Sequence, residues 1–127
     1  MFIHAIELSG GSPFGKYLSF RPGPIKTEAD EVYYRGAAKK FKDKMAVPLI
    51  LPGGIRSYTV ALELIEKGIT DYISMSRPLI REPGLVSRWK AGDLQKATCL
   101  SDNLCSSTLR TGEGLYCVVE RRASKRE

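Results

Sequence analysis

The sequence between residues 47 and 83 constrains the fold of this chain more than any other stretch. It contains two apolar runs, each typical of a buried strand, which end at Gly53-Gly54 and at Ser76-Arg77 and are separated by a helical pattern. Parallel strands joined by a helix bring their carboxyl ends to the same edge of a sheet. Backbone N–H groups and one guanidinium would therefore meet around one point, and that combination suits a phosphate dianion.

The rest of the chain repeats the same order of elements. The sequence predicts strands over residues 2–8, 49–51 and 71–75, each followed by a helix, over residues 27–45, 57–67 and 83–92. This order predicts an α/β fold with right-handed parallel crossovers. It fits an open doubly wound sheet and a part of a (β/α) barrel alike, and three units cannot close a barrel of eight strands.

Helical periodicity also predicts which residues face the core. The first helix should begin at Thr27 as its N-cap and bury one face made of Ala29, Val32, Tyr33, Gly36, Ala37, Phe41 and Met45. The second should bury Val60, Ala61, Leu64 and Ile65 and end at Gly68, and the third should bury Leu85, Val86 and Trp89 and end at Gly92.

Residues 12–26 contain three prolines and two glycines and therefore predict a long loop. Its aromatic and basic residues could close over a ligand, or the segment could be a plain surface loop with aromatic anchors: Phe14, Lys16, Tyr17, Phe20 and Arg21. The only histidine, His4, lies near the start of the first strand and is interpreted as structural.

Composition excludes several classes of protein. The chain has 127 residues and a formal charge of +6, but its basic residues cluster at one helix end and in the tail, as on a solvated face. We therefore expect no nucleic-acid partner, and no apolar run reaches the length of about 20 residues that a membrane span needs. Three cysteines without a signal-peptide pattern predict a reducing, cytoplasmic setting.

Several motifs in order resemble one family. The stretches IELSGG, LPGGIRS and YISMSRPLIREPGLVSRWKAGD, followed by a cysteine-bearing tail, closely resemble the C-terminal part of the Old Yellow Enzyme-like NADH:flavin oxidoreductases, which are FMN-dependent (β/α)₈ barrels. The resemblance extends from Ile6 to about Cys117. It implies that the three strands are the sixth, seventh and eighth of the barrel, and that residues 1–92 are a partial barrel followed by an extension over residues 93–127.

The resemblance also implies a site. In the family, the turns after the last two strands hold the FMN phosphate through backbone N–H groups and an arginine, and the matching residues here are Gly53, Gly54, Ser76 and Arg77. Many relatives have glycine where Ser76 stands, which a backbone contact should tolerate. The alternative is a plain strand-to-helix turn at the glycines and a surface salt bridge at Arg77.

The family's other catalytic parts have no counterpart in this sequence. The first five barrel strands, which carry the contacts to the flavin ring and to the substrate carbonyl, are not in this chain, so no catalytic residue is assigned. We expect a truncated chain that is inactive alone. In the intact enzyme, NAD(P)H would reduce the flavin, and an activated alkene or enone would be the acceptor.

The tail resembles a cysteine cluster that binds a 4Fe–4S centre in relatives of the dienoyl-CoA reductases. The matching residues are Cys99, Asp102, Cys105 and Cys117. An aspartate replaces one cysteine and the spacing is one residue short, so we expect no such cluster. A weak zinc site is an alternative, but three reduced cysteines without a metal are the expected state.

Two further functions remain open from the sequence. The chain could be a non-catalytic phosphate-binding or self-assembling module that pairs with a copy of itself or with a complementary barrel half, because three β/α units leave two sheet edges uncovered. Phosphosugar chemistry on another (β/α) barrel would share the phosphate turn but would not predict the SRPLIREP stretch and Trp89.

Overall fold

The computed structural model describes residues 2–11 and 25–125. The predicted ligand-covering loop lies, except for its last two residues, outside these ranges. The described chain contains three short strands and five α-helices: β1 (Ile6–Glu7), α1 (Arg35–Lys42), β2 (Leu49–Leu51), α2 (Tyr58–Glu66), β3 (Tyr72–Ile73), α3 (Arg77–Arg81), α4 (Leu85–Lys90) and α5 (Val118–Ser124). Two 3₁₀ helices, Glu28–Asp30 and Leu104–Arg110, complete it.

The strands form one parallel sheet in the order β1-β2-β3. Leu49 of β2 is in register with Ile6, and Leu51 of β2 is in register with Ile73. A mixed α/β fold with a parallel sheet therefore agrees with the sequence pattern. Because a barrel segment and an open sheet share this arrangement, the barrel stays a prediction.

The core lies between the sheet and the helices α1 and α2. Leu49 and Leu51 on one face of β2 are fully buried against Ile55 and against Val60 and Leu64 of α2. Alternation along β2 explains this placement, since residues two apart share one face of a strand. Gly68 adopts a φ of 63° directly after the end of α2, which confirms its predicted role as the residue that ends this helix.

The prediction of one continuous first helix is wrong. Thr27 does begin a helical turn and forms a capping box with Asp30, but Val32 has a φ of 55°, which a right-handed helix cannot contain. The chain then restarts as α1 at Arg35, so the helical phase shifts and Ala38 is the buried residue of α1. Four residues of the predicted core face are exposed instead: Ala29, Gly36, Ala37 and Met45.

The C-terminal helical region also differs from the prediction. Helix α3, which contains Pro78 in its first turn, precedes the predicted helix, and α4 begins at Leu85. Leu85 and Trp89 are buried as predicted, whereas Val86 and Ile65 of α2 are more than two-fifths exposed. Each of these two exposed residues directly follows a buried one, and so it turns about 100° away from the core.

None of the helices in the described ranges has both the length and the apolar character required to cross a bilayer.

Candidate functional site

A cavity of about 350 Å³ lies at the carboxyl ends of the three strands. The residues after β1, β2 and β3 all contribute to its wall, and the C-terminal tail covers part of it. The polar and glycine residues of this wall are Glu7, Ser9, Tyr33, Tyr34, Gly53, Gly54, Arg56, Ser74, Ser76, Arg77, Ser101, Asn103, Cys105 and Ser106. All four residues assigned to a phosphate by the sequence, Gly53, Gly54, Ser76 and Arg77, therefore line one cavity.

The turn after β2 supplies two glycines in conformations that other residues rarely adopt. Gly53 and Gly54 have φ values of 130° and 80°. The carbonyl oxygen of Gly53 accepts a 3.2 Å hydrogen bond from the backbone N–H of Tyr33. Within the described residues no acceptor takes the N–H groups of Gly53 or Gly54, and both residues line the cavity.

The turn after β3 supplies the cation. The guanidinium of Arg77 donates from Nη1 to the side-chain oxygen of Asn103, which lies 26 residues further along the chain. In the described part of the chain this is its one hydrogen-bond partner, and no carboxylate forms an ion pair with it. Among the described residues, Arg77 therefore forms no salt bridge of the kind that the sequence left open as an alternative.

The same edge of the sheet carries a carboxylate and a hydroxyl. Ser74, directly after β3, donates a 2.6 Å hydrogen bond to the carboxylate of Glu7, the last residue of β1. Both line the cavity, so its wall contains acceptor groups as well as the donors of the two turns. A ligand with an anionic end and a hydroxyl-bearing chain matches such a wall.

The amino end of α2, a second place where an anion could bind, is already occupied by a side chain. The carboxylate of Glu31 accepts hydrogen bonds from the backbone N–H groups of Arg56 (2.9 Å) and Ser57 (3.1 Å) and from the Ser57 hydroxyl (2.5 Å). Glu31 is buried, and a carboxylate at the amino end of a helix stabilises the helix through its favourable interaction with the helix dipole. The free donors of the site are therefore those of the Gly53-Gly54 turn rather than those of the helix.

Arg56 joins this turn to the C-terminal tail. It is 6% exposed, and its guanidinium donates to the carbonyl oxygens of Ile25 (2.7 Å) and Cys99 and to the hydroxyl of Ser101 (2.7 Å). Its Nε atom is buried without a partner among the described residues. An arginine two residues after a Gly-Gly turn was visible in the sequence, but nothing there indicated its buried contacts.

The cysteines of the tail are half-buried and unpaired. Burial and the neighbouring Cys99 sulfur raise the pKa of the Cys105 thiol, although the positive charge of Arg77 acts in the opposite direction. Asp102 accepts a hydrogen bond from the backbone N–H of Leu104, and Arg81 contacts the Cys117 sulfur at 3.8 Å. Within the described ranges no three His, Cys, Asp or Glu side chains are grouped as metal ligands.

The chain matches no protein-family model. It is 31% identical over 98 residues to the 4,4'-dithiodibutanoate disulfide reductase of Rhodococcus erythropolis. The match covers 77% of this chain and 24% of that protein, so the chain spans about a quarter of the length of the curated relative it matches. The chain is thus similar to a segment of an oxidoreductase.

Proposed function

We propose that this chain is the FMN-binding segment of an NAD(P)H-dependent flavin oxidoreductase of the Old Yellow Enzyme type. In this proposal the three β/α units are the C-terminal part of a (β/α)₈ barrel, and the turns after β2 and β3 anchor the FMN phosphate. The observation that carries the proposal is the meeting of Gly53, Gly54, Ser76 and Arg77 around one cavity at the carboxyl edge of the sheet.

The groups in this wall fit a phosphate monoester. Gly53 and Gly54 carry no side chains of their own beside their N–H donors, and the Arg77 guanidinium supplies a charge-assisted partner. Arg77 keeps several donors after its bond to Asn103, because a guanidinium carries five N–H groups. The volume, about 350 Å³, lies within the range of roughly 300–1,000 Å³ that is usual for small-molecule sites.

The chemistry of the intact enzyme would come from the cofactor. Bound FMN would accept a hydride from NAD(P)H and transfer it to an acceptor. An activated alkene or enone is the acceptor implied by the family, and the name of the Rhodococcus relative adds a disulfide as a candidate. The residues of this chain would hold the phosphate and thereby set the position of the ring.

The test is a flavin titration of the purified chain, followed by fluorescence, with the mass measured by size-exclusion chromatography. We expect saturable binding of FMN and much weaker binding of riboflavin, which lacks the phosphate. Equal affinity for both flavins, or no binding by the folded chain, would overturn the proposed anchor.

The isolated chain should lack turnover even where it binds FMN. No described residue is assigned to hold the flavin ring or a substrate carbonyl. We therefore expect no NAD(P)H-dependent reduction of an activated enone by the pure protein, and steady turnover at a rate typical of the family would contradict the assignment of this chain as an anchoring segment.

One observation favours the second candidate, a non-catalytic phosphate-binding or self-assembling module. Among the described strands, β1 and β3 each pair on one side only, and apolar side chains near them are exposed: Phe2 is 90% exposed, Ile3 57% and Tyr72 59%. Uncovered edges of this kind pair readily with another chain. A dimeric mass together with phosphate binding that does not distinguish FMN from other phosphate esters would support the module.

A further inference from the structure

We propose that Asn103 is a positioning residue of the phosphate site, which holds the Arg77 guanidinium in the orientation that a phosphate requires. This inference rests on the proposed function. It makes residues 97–103, which follow the last β/α unit, a working part of the site.

The contact itself is specific. Arg77 Nη1 donates to Asn103 Oδ1, and both residues line the cavity. A side-chain amide oxygen is a neutral acceptor, so it can orient the guanidinium without cancelling its charge as a carboxylate would. A free arginine side chain loses rotamer freedom when it binds a ligand, and an arginine that is already ordered avoids most of that loss.

Asn103 is fixed in its turn by the local backbone. It has a left-handed φ of 62°, which asparagine tolerates better than most residues. Its carbonyl oxygen accepts hydrogen bonds from the backbone N–H of Ser106 (3.0 Å) and from the Ser106 hydroxyl (2.7 Å). Asp102 binds the N–H of Leu104 at 3.0 Å, and together these bonds fix the turn that presents the Asn103 side chain.

The segment before Asn103 is anchored to the turn after β2. The backbone N–H of Ala97 donates to the carbonyl oxygen of Arg56 (2.9 Å), and the Arg56 guanidinium binds Cys99 and Ser101. Ala97 and Ser101 are buried. The segment therefore connects the two turns of the site: Arg56, two residues after Gly54, holds one end, and Asn103 binds Arg77 at the other.

The experiment compares the parent chain with Asn103→Gly and with Ser107→Ala. Glycine keeps the left-handed backbone and removes the acceptor. Ser107 is exposed in the 3₁₀ helix Leu104–Arg110, which directly follows Asn103, and its hydroxyl donates to the Leu104 carbonyl oxygen. The Ser107→Ala variant therefore controls for loss of that helix. For each protein we measure the dissociation constants of FMN and riboflavin and the ¹⁵N relaxation of the Arg77 Nε–H group.

We expect Asn103→Gly to lower the ratio of FMN affinity to riboflavin affinity by about three- to tenfold, because Arg77 must then be ordered at the moment of binding. The affinity for riboflavin should stay unchanged, the Arg77 Nε–H group should become more mobile, and Ser107→Ala should behave as the parent. A variant restoring the acceptor, Asn103→Asp, should restore the order of Arg77.

The two proposals fail in different ways. A parent that prefers FMN, with an unchanged ratio in Asn103→Gly, overturns the role of Asn103 and leaves the phosphate anchor intact. A parent with no preference for FMN overturns the proposed function. In that case the role of Asn103 is tested with inorganic phosphate, which is titrated into the parent and into Asn103→Gly while the Arg77 Nε–H signal is followed. Equal responses in the two proteins overturn the role of Asn103.

Discussion

The ring of Tyr33 lies against Gly54 so closely that a side chain could not fit between them. A Cβ atom at Gly54 would lie 2.9 Å from Cε1 of Tyr33 and 2.6 Å from Cδ1 of Ile25, both far inside ordinary contact distance. The φ of 80° at Gly54 is a second and independent reason for glycine. The packing of the turn thus requires glycine here, whether or not a phosphate binds.

Gly54→Ala should therefore destabilise the fold. The added methyl group must displace Ile25 and Tyr33, and the backbone must hold a positive φ, so we expect a loss of about 2–4 kcal/mol in the free energy of unfolding. Urea denaturation followed by circular dichroism measures this loss. A change below about 0.5 kcal/mol would show that the turn adapts, and the close packing would then not explain the glycine.

Gly36→Ala is the matched control, with the opposite sign. Gly36 lies in α1, its φ is not in the left-handed region, and a Cβ atom there would meet nothing within 4 Å. Alanine should raise the free energy of unfolding by about 0.5–1 kcal/mol, because it restricts the unfolded chain and favours the helix. The same denaturation experiment decides the sign for both variants.

The sequence predicted best those features that depend on neighbouring residues. The strand at Leu49–Leu51, the end of α2 at Gly68 and the glycine turn after β2 each follow from a short local pattern, and the structure has all three. The prediction of a continuous first helix was wrong because Val32 takes a left-handed φ, which local periodicity gives no reason to expect in a β-branched residue.

The candidate site shows the same division. Gly53, Gly54, Ser76 and Arg77 could be named from the sequence because they lie in the turns after two predicted strands and match the motifs of the family that the chain resembles. Asn103 and Glu31 could not, since their contacts join residues 25 or 26 positions apart and depend on how the chain packs. An arginine after a glycine turn also gives no sign of whether it faces solvent or is buried as Arg56 is.

Replacing Arg56 by methionine should release the C-terminal tail. Methionine has a similar length but leaves the carbonyl oxygens of Ile25 and Cys99 without a donor. We therefore expect the free energy of unfolding to fall by about 3 kcal/mol. Hydrogen exchange followed by mass spectrometry should show that the substitution accelerates exchange, relative to the parent, more over residues 97–110 than in β2 and α2. Uniform acceleration across the chain would instead indicate that the tail and the sheet open as one unit.

The carboxylate of Asp71 should make stability depend on pH. It binds the ammonium of Lys42 at 2.8 Å and the backbone N–H of Leu49 at 2.7 Å, and these bonds, the Lys42 bond first, lower the pKa of Asp71 in the folded protein. Its contribution is therefore complete above the unfolded pKa of about 3.9 and is lost as the pH falls through the lower folded value.

The variant Asp71→Asn measures that contribution. At pH 7 we expect it to be less stable than the parent by about 1 kcal/mol, a modest value because the side chain is more than a third exposed. Urea midpoints recorded between pH 2 and pH 7 should show this difference above pH 4 and its disappearance at the acid end. A difference that persists unchanged at pH 2 would mean that Asp71 acts through packing rather than through its charge.

The charge of Arg77 gives the most direct test of the site. Its guanidinium lines the cavity, binds Asn103 and has no ion-paired carboxylate among the described residues. Arg77→Ala should weaken FMN binding about 10- to 100-fold and leave riboflavin binding unchanged, because one charge-assisted hydrogen-bonded contact contributes roughly 1.5–3 kcal/mol.

Arg110→Ala, which removes an exposed arginine that does not line the cavity, is the matched control and should bind FMN like the parent. Fluorescence titration at two salt concentrations provides the measurement. An equal loss in both variants would indicate a general effect of net charge, and no loss in Arg77→Ala would remove Arg77 from the site.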